Sequence, residues 1–205
     1  MRQNKLKRIG ITGGIGAGKT TVAEIFDKAG LLVVDADMVS RDVLELYPEI
    51  ANYIRRCYQE EYFRADGSLD RRKFGKMVFS DPAALADYEK VIMPFIVDEI
   101  NERFAFIEEA TEDEFAVLDA PLLFEVGEEP VHDVAITVEM PLDLQIQRVM
   151  ARDGLSETDV VNRIQRQRSR AQRESLSDYV IVNDGSLEEL TDKALQILDE
   201  IKHRG

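Results

Sequence analysis

Arg8-Ile9-Gly10-Ile11-Thr12-Gly13-Gly14-Ile15-Gly16-Ala17-Gly18-Lys19-Thr20 begins as an apolar, β-favouring run and ends in a glycine-rich turn. The run predicts a strand over residues 8–12, and the pattern after the turn predicts a helix over 18–28. Residues 13–20 fit G-x-x-x-x-G-K-[ST], and they stand after a strand and before a helix, the context this phosphate-binding loop requires. Glycines allow backbone angles that turn successive N–H groups inward as an anion nest. The positive end of the following helix points at the same spot. Gly13, Gly14, Gly16, Ala17, Gly18, Lys19, Thr20 and Thr21 are therefore candidate contacts for a nucleotide's phosphates. Lys19 has the reach for the β- and γ-phosphates, and the Thr20 hydroxyl suits Mg²⁺.

Outward from this loop, apolar β-rich runs alternate with helical patterns, as in a parallel sheet with crossover helices. Residues 31–35, 115–119, 134–138 and 179–182 read as further strands, and the unbroken apolar run at 31–35 suggests burial on both faces. Residues 187–202 are amphipathic, with Leu187, Leu190, Ala194, Leu195, Leu198 and Ile201 on one side. Between the second and third strands, residues 43–62 and 82–109 read as helical, separated by turn signals at Asp66-Gly67 and Ser80-Asp81-Pro82. A crossover that long suggests a helical subdomain with a second site. The acidic stretch 108–114 reads as a solvated loop. The expected fold class is α/β: a P-loop NTPase three-layer fold, one domain over 1–205 with a parallel sheet, flanking helices and a helical substrate-binding insertion at about 40–110.

Composition narrows the function. The chain has 44% hydrophobic and 32% charged residues, the balance of a soluble protein, and no apolar run approaches the ~18 residues of a membrane span. The polar, basic first eight residues lead straight into a strand, so no signal peptide is expected. Cys57 is the single cysteine, which excludes an internal disulfide and fits a reducing, cytoplasmic setting. A net charge of −14 argues against a nucleic-acid partner. The basic residues are nonetheless concentrated: residues 148–173 hold seven arginines against three acids, a local +4 that suits a small polyanion.

The strand ends carry carboxylates. Asp35 and Asp37 follow the second strand, where C-terminal strand ends face the ligand crevice of such sheets. If the strand continues through both, they share one side and could position Mg²⁺ or accept a proton from a hydroxyl. The competing reading of Asp35 is a helix N-cap. Asp119 ends the third strand and is a metal candidate, with a cap or turn as its alternative. Glu125 follows an apolar quartet, and its burial is costly unless it is paired or faces a cleft. No Asn-Lys-x-Asp base-recognition signature is present, and the chain is small for a motor. That leaves phosphate transfer to a small molecule.

Several segments together resemble the dephospho-CoA kinase family: residues 10–23; Val34-Asp35-Ala36-Asp37; Asp66-Gly67-Ser68-Leu69-Asp70-Arg71 with Val78-Phe79 and a helix ending at Pro94; Pro121-Leu122-Leu123-Phe124-Glu125; and Asp178-Tyr179-Val180-Ile181-Val182-Asn183-Asp184-Gly185. The resemblance covers almost the whole chain. It implies ATP- and Mg²⁺-dependent phosphorylation of the ribose 3′-hydroxyl of dephospho-CoA, the acceptor being a small molecule. It places the general base at Asp37 and puts Arg71, Pro121, Leu122 and Glu125 at the acceptor, with Asn183 near the adenine. It also makes 148–175 an arginine-rich lid with Arg148, Arg152 and Gln167 at marked places. Lys19, Arg148 and Arg152 would then act on the transferred phosphate, and Thr20, Asp35 and Asp119 on the metal. Three positions depart from the family pattern: Met93 where a His is usual, Val182 for an Asp, and Ser177 for an Ala. Two other readings stay open: another small-molecule kinase, for nucleosides or their monophosphates, distinguished by its acceptor; and a regulatory nucleotide-binding module, distinguished by slow hydrolysis without acceptor dependence.

Overall fold

The computed structural model describes residues 5–124 and 131–204. Five strands, β1 (Lys7–Gly13), β2 (Leu32–Asp35), β3 (Phe115–Asp119), β4 (Val134–Glu139) and β5 (Tyr179–Val182), form one sheet in the order β2-β3-β1-β4-β5, all neighbours parallel. The chain leaves β1 toward one edge and later returns to its other side, so the strand order reverses at β1, where such sheets open a crevice at their C-terminal ends.

Pleating sends alternate residues to two faces. Ile9, Ile11, Phe115, Val117, Ile136 and Val138 join one buried cluster with Phe26 of α1 (Lys19–Lys28) and with Leu190, Ala194, Leu198 and Ile201 of the C-terminal helix Leu187–Arg204. Ala116, Leu118 and Ala135 face a second cluster built from helices inserted between β2 and β3. Those are α2 (Ala36–Leu46), α3 (Pro48–Tyr58), α4 (Arg71–Val78) and α5 (Pro82–Ala110), with a short 3₁₀ turn at Glu60–Tyr62. From β4 to β5 run α6 (Leu142–Asp153), α7 (Glu157–Gln165) and α8 (Arg170–Leu176), and Leu187–Arg204 is α9.

Five local expectations change. β2 is an edge strand, not a doubly covered one, and Leu32 is 40% exposed. It ends at Asp35, whose Oδ1 accepts from the Asp37 and Met38 N–H groups and so opens α2; Asp37 lies on a helix, and the two carboxylates do not share a strand face. The helical stretch from 43 breaks at Tyr47, because Pro48 disfavours helical backbone in the residue before it. α5 does not end at Pro94 but runs through it to Ala110, and the buried Ile96, Ile100, Phe104 and Ile107 beyond the proline hold it against the core. On α9, Leu187 and Leu195 are exposed while the other four predicted positions are buried.

Candidate active site

The glycine-rich loop turns at the C-terminal end of β1, as its sequence predicts. Gly16 (φ 74°) and Gly18 (φ 104°) occupy the left-handed region that glycine enters without strain. Gly14 makes room in a different way: a Cβ there would lie 2.6 Å from the carboxamide nitrogen of Gln145, which would have to shift. The Ala17 N–H donates 3.0 Å to the Gly14 carbonyl, closing the turn. The loop lines a cavity of about 580 Å³ with Thr20, Thr21, Asp37, Pro121, Arg148, Arg152 and Gln167. Seven predicted cradle residues, Gly13, Gly14, Gly16, Gly18, Lys19, Thr20 and Thr21, line it, whereas Ala17 turns away.

Lys19 Nζ is ion-paired with Asp119 Oδ1, and both are largely buried. Asp119 lies opposite Asp35 across β2 and β3. Burial pushes the Asp119 carboxyl above its ordinary value, Lys19 and a hydrogen bond from Thr20 pull it down, and the charge on Asp35 raises it again. Burial is the largest of these causes, so the net direction is upward. Thr20, Asp35 and Asp119 thus bring oxygen donors together beside Lys19, although of the three only Thr20 lines the cavity itself. Among the described residues no cluster of three or more His, Cys, Asp or Glu is placed to hold a metal.

Arg148 and Arg152 sit on the exposed face of α6 and line the same cavity. Arg148 approaches the Gly16 carbonyl at 3.5 Å, and Arg152 grips Asp153 with two hydrogen bonds of 2.7 and 3.0 Å. The turn between α7 and α8 reaches the loop as well: the Ile15 N–H donates 2.8 Å to Gln167 Oε1. Arg168 donates 3.0 Å to the Phe124 carbonyl, which ties that turn to the Pro121–Phe124 segment. Behind it, Arg173 forms two hydrogen bonds of 2.6 and 2.8 Å to the buried Glu139 of β4 and also bonds the Arg168 carbonyl.

A second cavity, of about 360 Å³, opens beside the first between α2, α4 and α5. Leu69, Phe74, Val78, Tyr88, Met93 and Ile96 make most of it apolar, with Arg41, Arg71 and Glu89 among its polar groups. Asp37, exposed on the first turn of α2, and Pro121 line both cavities. Leu122 lines the apolar one. Arg71 donates to the Arg41 carbonyl at 2.8 Å and to Glu45 at 2.7 Å. Glu125 lies outside the described residues. Asn183 lines a third hollow with Arg148 and Arg152, but its side-chain amide is committed to the Ala17 carbonyl at 2.7 Å.

Sequence reasoning missed Gln145 and Arg168. Gln145 is 6% exposed and its Nε2 donates 2.7 Å to the Ile15 carbonyl. One signal for it exists: it stands four residues before Val149, on the apolar phase of α6, where an amide needs a buried partner.

A parallel sheet that reverses order at β1, with a G-x-x-x-x-G-K-[ST] loop in the crevice, defines a P-loop nucleotide-binding protein. Within that class, the dephospho-CoA kinase model matches residues 7–189. The chain is 39% identical to a dephospho-CoA kinase of Clostridium tetani over 91% of this chain and 82% of that protein. It is 35% identical to one of Thermobifida fusca over 96% and 97%. The crystal structure of TT1252 from Thermus thermophilus superposes with a TM-score of 0.79 at 35% identity, covering 96% of this chain and 98% of that one. At the level of fold alone, a shikimate kinase from Acinetobacter baumannii, solved with shikimate, gives 0.52 at 15% identity over 98% and 96%. The chain belongs to the dephospho-CoA kinase family.

Proposed function

We propose that this protein transfers the γ-phosphate of ATP to the ribose 3′-hydroxyl of dephospho-CoA, giving CoA and ADP, the last step of coenzyme A biosynthesis. The observation that carries the reading is the meeting of two cavities at Asp37 and Pro121, one lined by phosphate-loop amides and the other mostly apolar. A donor phosphate and an acceptor hydroxyl brought from the two sides converge on the Asp37 carboxylate. That carboxylate orients the hydroxyl and accepts its proton as the phosphoryl group moves in line from ADP to the acceptor oxygen.

Positioning and charge supply the rest of the barrier lowering. Lys19 exchanges Asp119 for oxygens of the β- and γ-phosphates, while the loop amides hold the phosphates still. Arg148 and Arg152 cover them and exclude water, which otherwise competes as acceptor and hydrolyses ATP. Thr20, Asp35 and Asp119 suit Mg²⁺, since their donors are all oxygen and this ion takes one or two carboxylates together with substrate phosphates. When bound, the ion neutralises charge building on the β- and γ-oxygens. Arg71, Pro121 and Leu122 border the acceptor. The helices over about 40–110 serve as the acceptor-binding insertion and residues 148–175 as the lid of a single catalytic domain working in the cytoplasm.

The test is ADP release from ATP·Mg²⁺ with dephospho-CoA, nucleosides, nucleoside monophosphates or sugars as acceptors. Strong stimulation by dephospho-CoA alone, with CoA formed, is expected. Stimulation by another acceptor instead would transfer the mechanism to that substrate, and none at all would leave a nucleotide-binding module.

A further inference from the structure

Phosphate loops bind anions through backbone N–H groups, so the orientation of each peptide plane matters as much as any side chain. A trans peptide points its C=O and its N–H in opposite directions. Whatever holds a loop carbonyl on the outside therefore aims the next N–H inside. Two loop carbonyls are held in this way by buried carboxamides from distant elements. Gln145 of α6 donates 2.7 Å to the Ile15 carbonyl, which fixes the peptide carrying the Gly16 N–H. Asn183, just past β5 and 4% exposed, donates 2.7 Å to the Ala17 carbonyl, which fixes the peptide carrying the Gly18 N–H. Gly16 and Gly18 line the phosphate cavity, and neither carboxamide does. Each carboxamide nitrogen also fills the place of a missing side chain: a Cβ on Gly14 would lie 2.6 Å from Gln145 Nε2, and one on Gly18 would lie 2.5 Å from Asn183 Nδ2. Asn183 is itself anchored, its backbone N–H donating 2.7 Å to the Glu139 carbonyl.

We infer that Gln145 and Asn183 are positioning residues that pin alternate peptides of the phosphate loop and so aim the Gly16 and Gly18 amides at the nucleotide's phosphates. The inference rests on reading residues 13–20 as the nucleotide-phosphate cradle, and it assigns Asn183 to the cradle, not to the base.

Gln145→Met and Asn183→Leu remove the donated hydrogen bond with little change in volume. Calorimetric binding of inorganic tripolyphosphate, which has no base and needs no acceptor, is the primary readout. Each variant is expected to bind tripolyphosphate and ADP about tenfold more weakly, the scale of one misdirected charge-assisted hydrogen bond. In turnover, KM for ATP should rise about tenfold with kcat and KM for dephospho-CoA within about twofold of wild type. Wild-type tripolyphosphate affinity in a variant overturns the assignment for that residue. Equal rises in both KM values overturn it for both, since general loosening does not single out the phosphates. If the protein proved inactive on dephospho-CoA, the tripolyphosphate measurement would still decide the point.

Discussion

Asp37 stands one residue inside α2, exposed, while its neighbour Asp35 spends one carboxylate oxygen capping that helix. The cap sets the first turn, and the first turn delivers Asp37 to the junction of the two cavities. Asp37→Asn keeps the shape and removes the proposed base, so kcat should fall by about 10²–10⁴ with ATP affinity little changed, read by steady-state kinetics and nucleotide titration. His132 shows a different residue-scale effect. It is half-buried against Phe124, and among the described residues its Nδ1 has no hydrogen-bond partner. Burial holds its pKa below the ordinary 6.5, against the raising influence of Asp178 and Asp133. The unfolded chain therefore binds a proton more readily than the folded one, so stability is retained above about pH 6.5 and declines as pH falls below it. Urea midpoints measured from pH 7.5 to 5.5 should show that decline, and His132→Leu should flatten it.

At the scale of elements, the connection from β4 to β5 is fastened from beneath. Glu139 and Arg173, with side chains 3% and 10% exposed, join β4 to α8, and Arg173 also holds the Arg168 carbonyl in the turn that carries Gln167. Removing one partner leaves a buried charge uncompensated, so Arg173→Met should lose about 3–5 kcal/mol in denaturant unfolding. Glu139→Leu combined with Arg173→Met should recover most of that loss. The sequence marked this stretch as arginine-rich and said nothing about which arginine was structural. Seven arginines look alike in one dimension; burial beside a glutamate thirty-four residues away separates Arg173 from Arg148 and Arg152. By contrast β3 and β5 were legible to the residue: β3 is central and buried throughout, an unbroken apolar run, and β5, at the other edge, is a short aromatic and β-branched run closed off on both sides by polar residues. β2 misled because apolar content alone does not distinguish a covered strand from an edge one.

For the whole molecule, two cores on opposite faces of one sheet leave the crevice at its C-terminal edge as the place where both are felt. The phosphate loop was readable because its chemistry is local in sequence, residue after residue. The apolar cavity beside it was legible only as a helical insertion with a second site, and not in its walls, since these assemble from α2, α4, α5 and the segment after β3. Nucleotide bound only by the folded form stabilises it by about 2.7 kcal/mol at a hundred times Kd. For a chain of this length that corresponds to a rise in melting temperature of roughly 5–10 °C. Differential scanning fluorimetry with ADP should show it in the wild type and equally in Asp37→Asn, whose defect is expected in chemistry alone.

The contacts that complete the phosphate loop come from far down the chain: its Ile15 carbonyl is met 130 residues later, its Ile15 amide 152 later, and its Ala17 carbonyl 166 later. On the ribosome, therefore, the loop emerges long before the residues that finish it. A nascent chain stalled before Asn183 carries the whole glycine-rich motif yet lacks one of the hands that shape it. On that inference, vectorial synthesis leaves the growing polypeptide a weaker grip on nucleotide until β5 and the residue after it have been made.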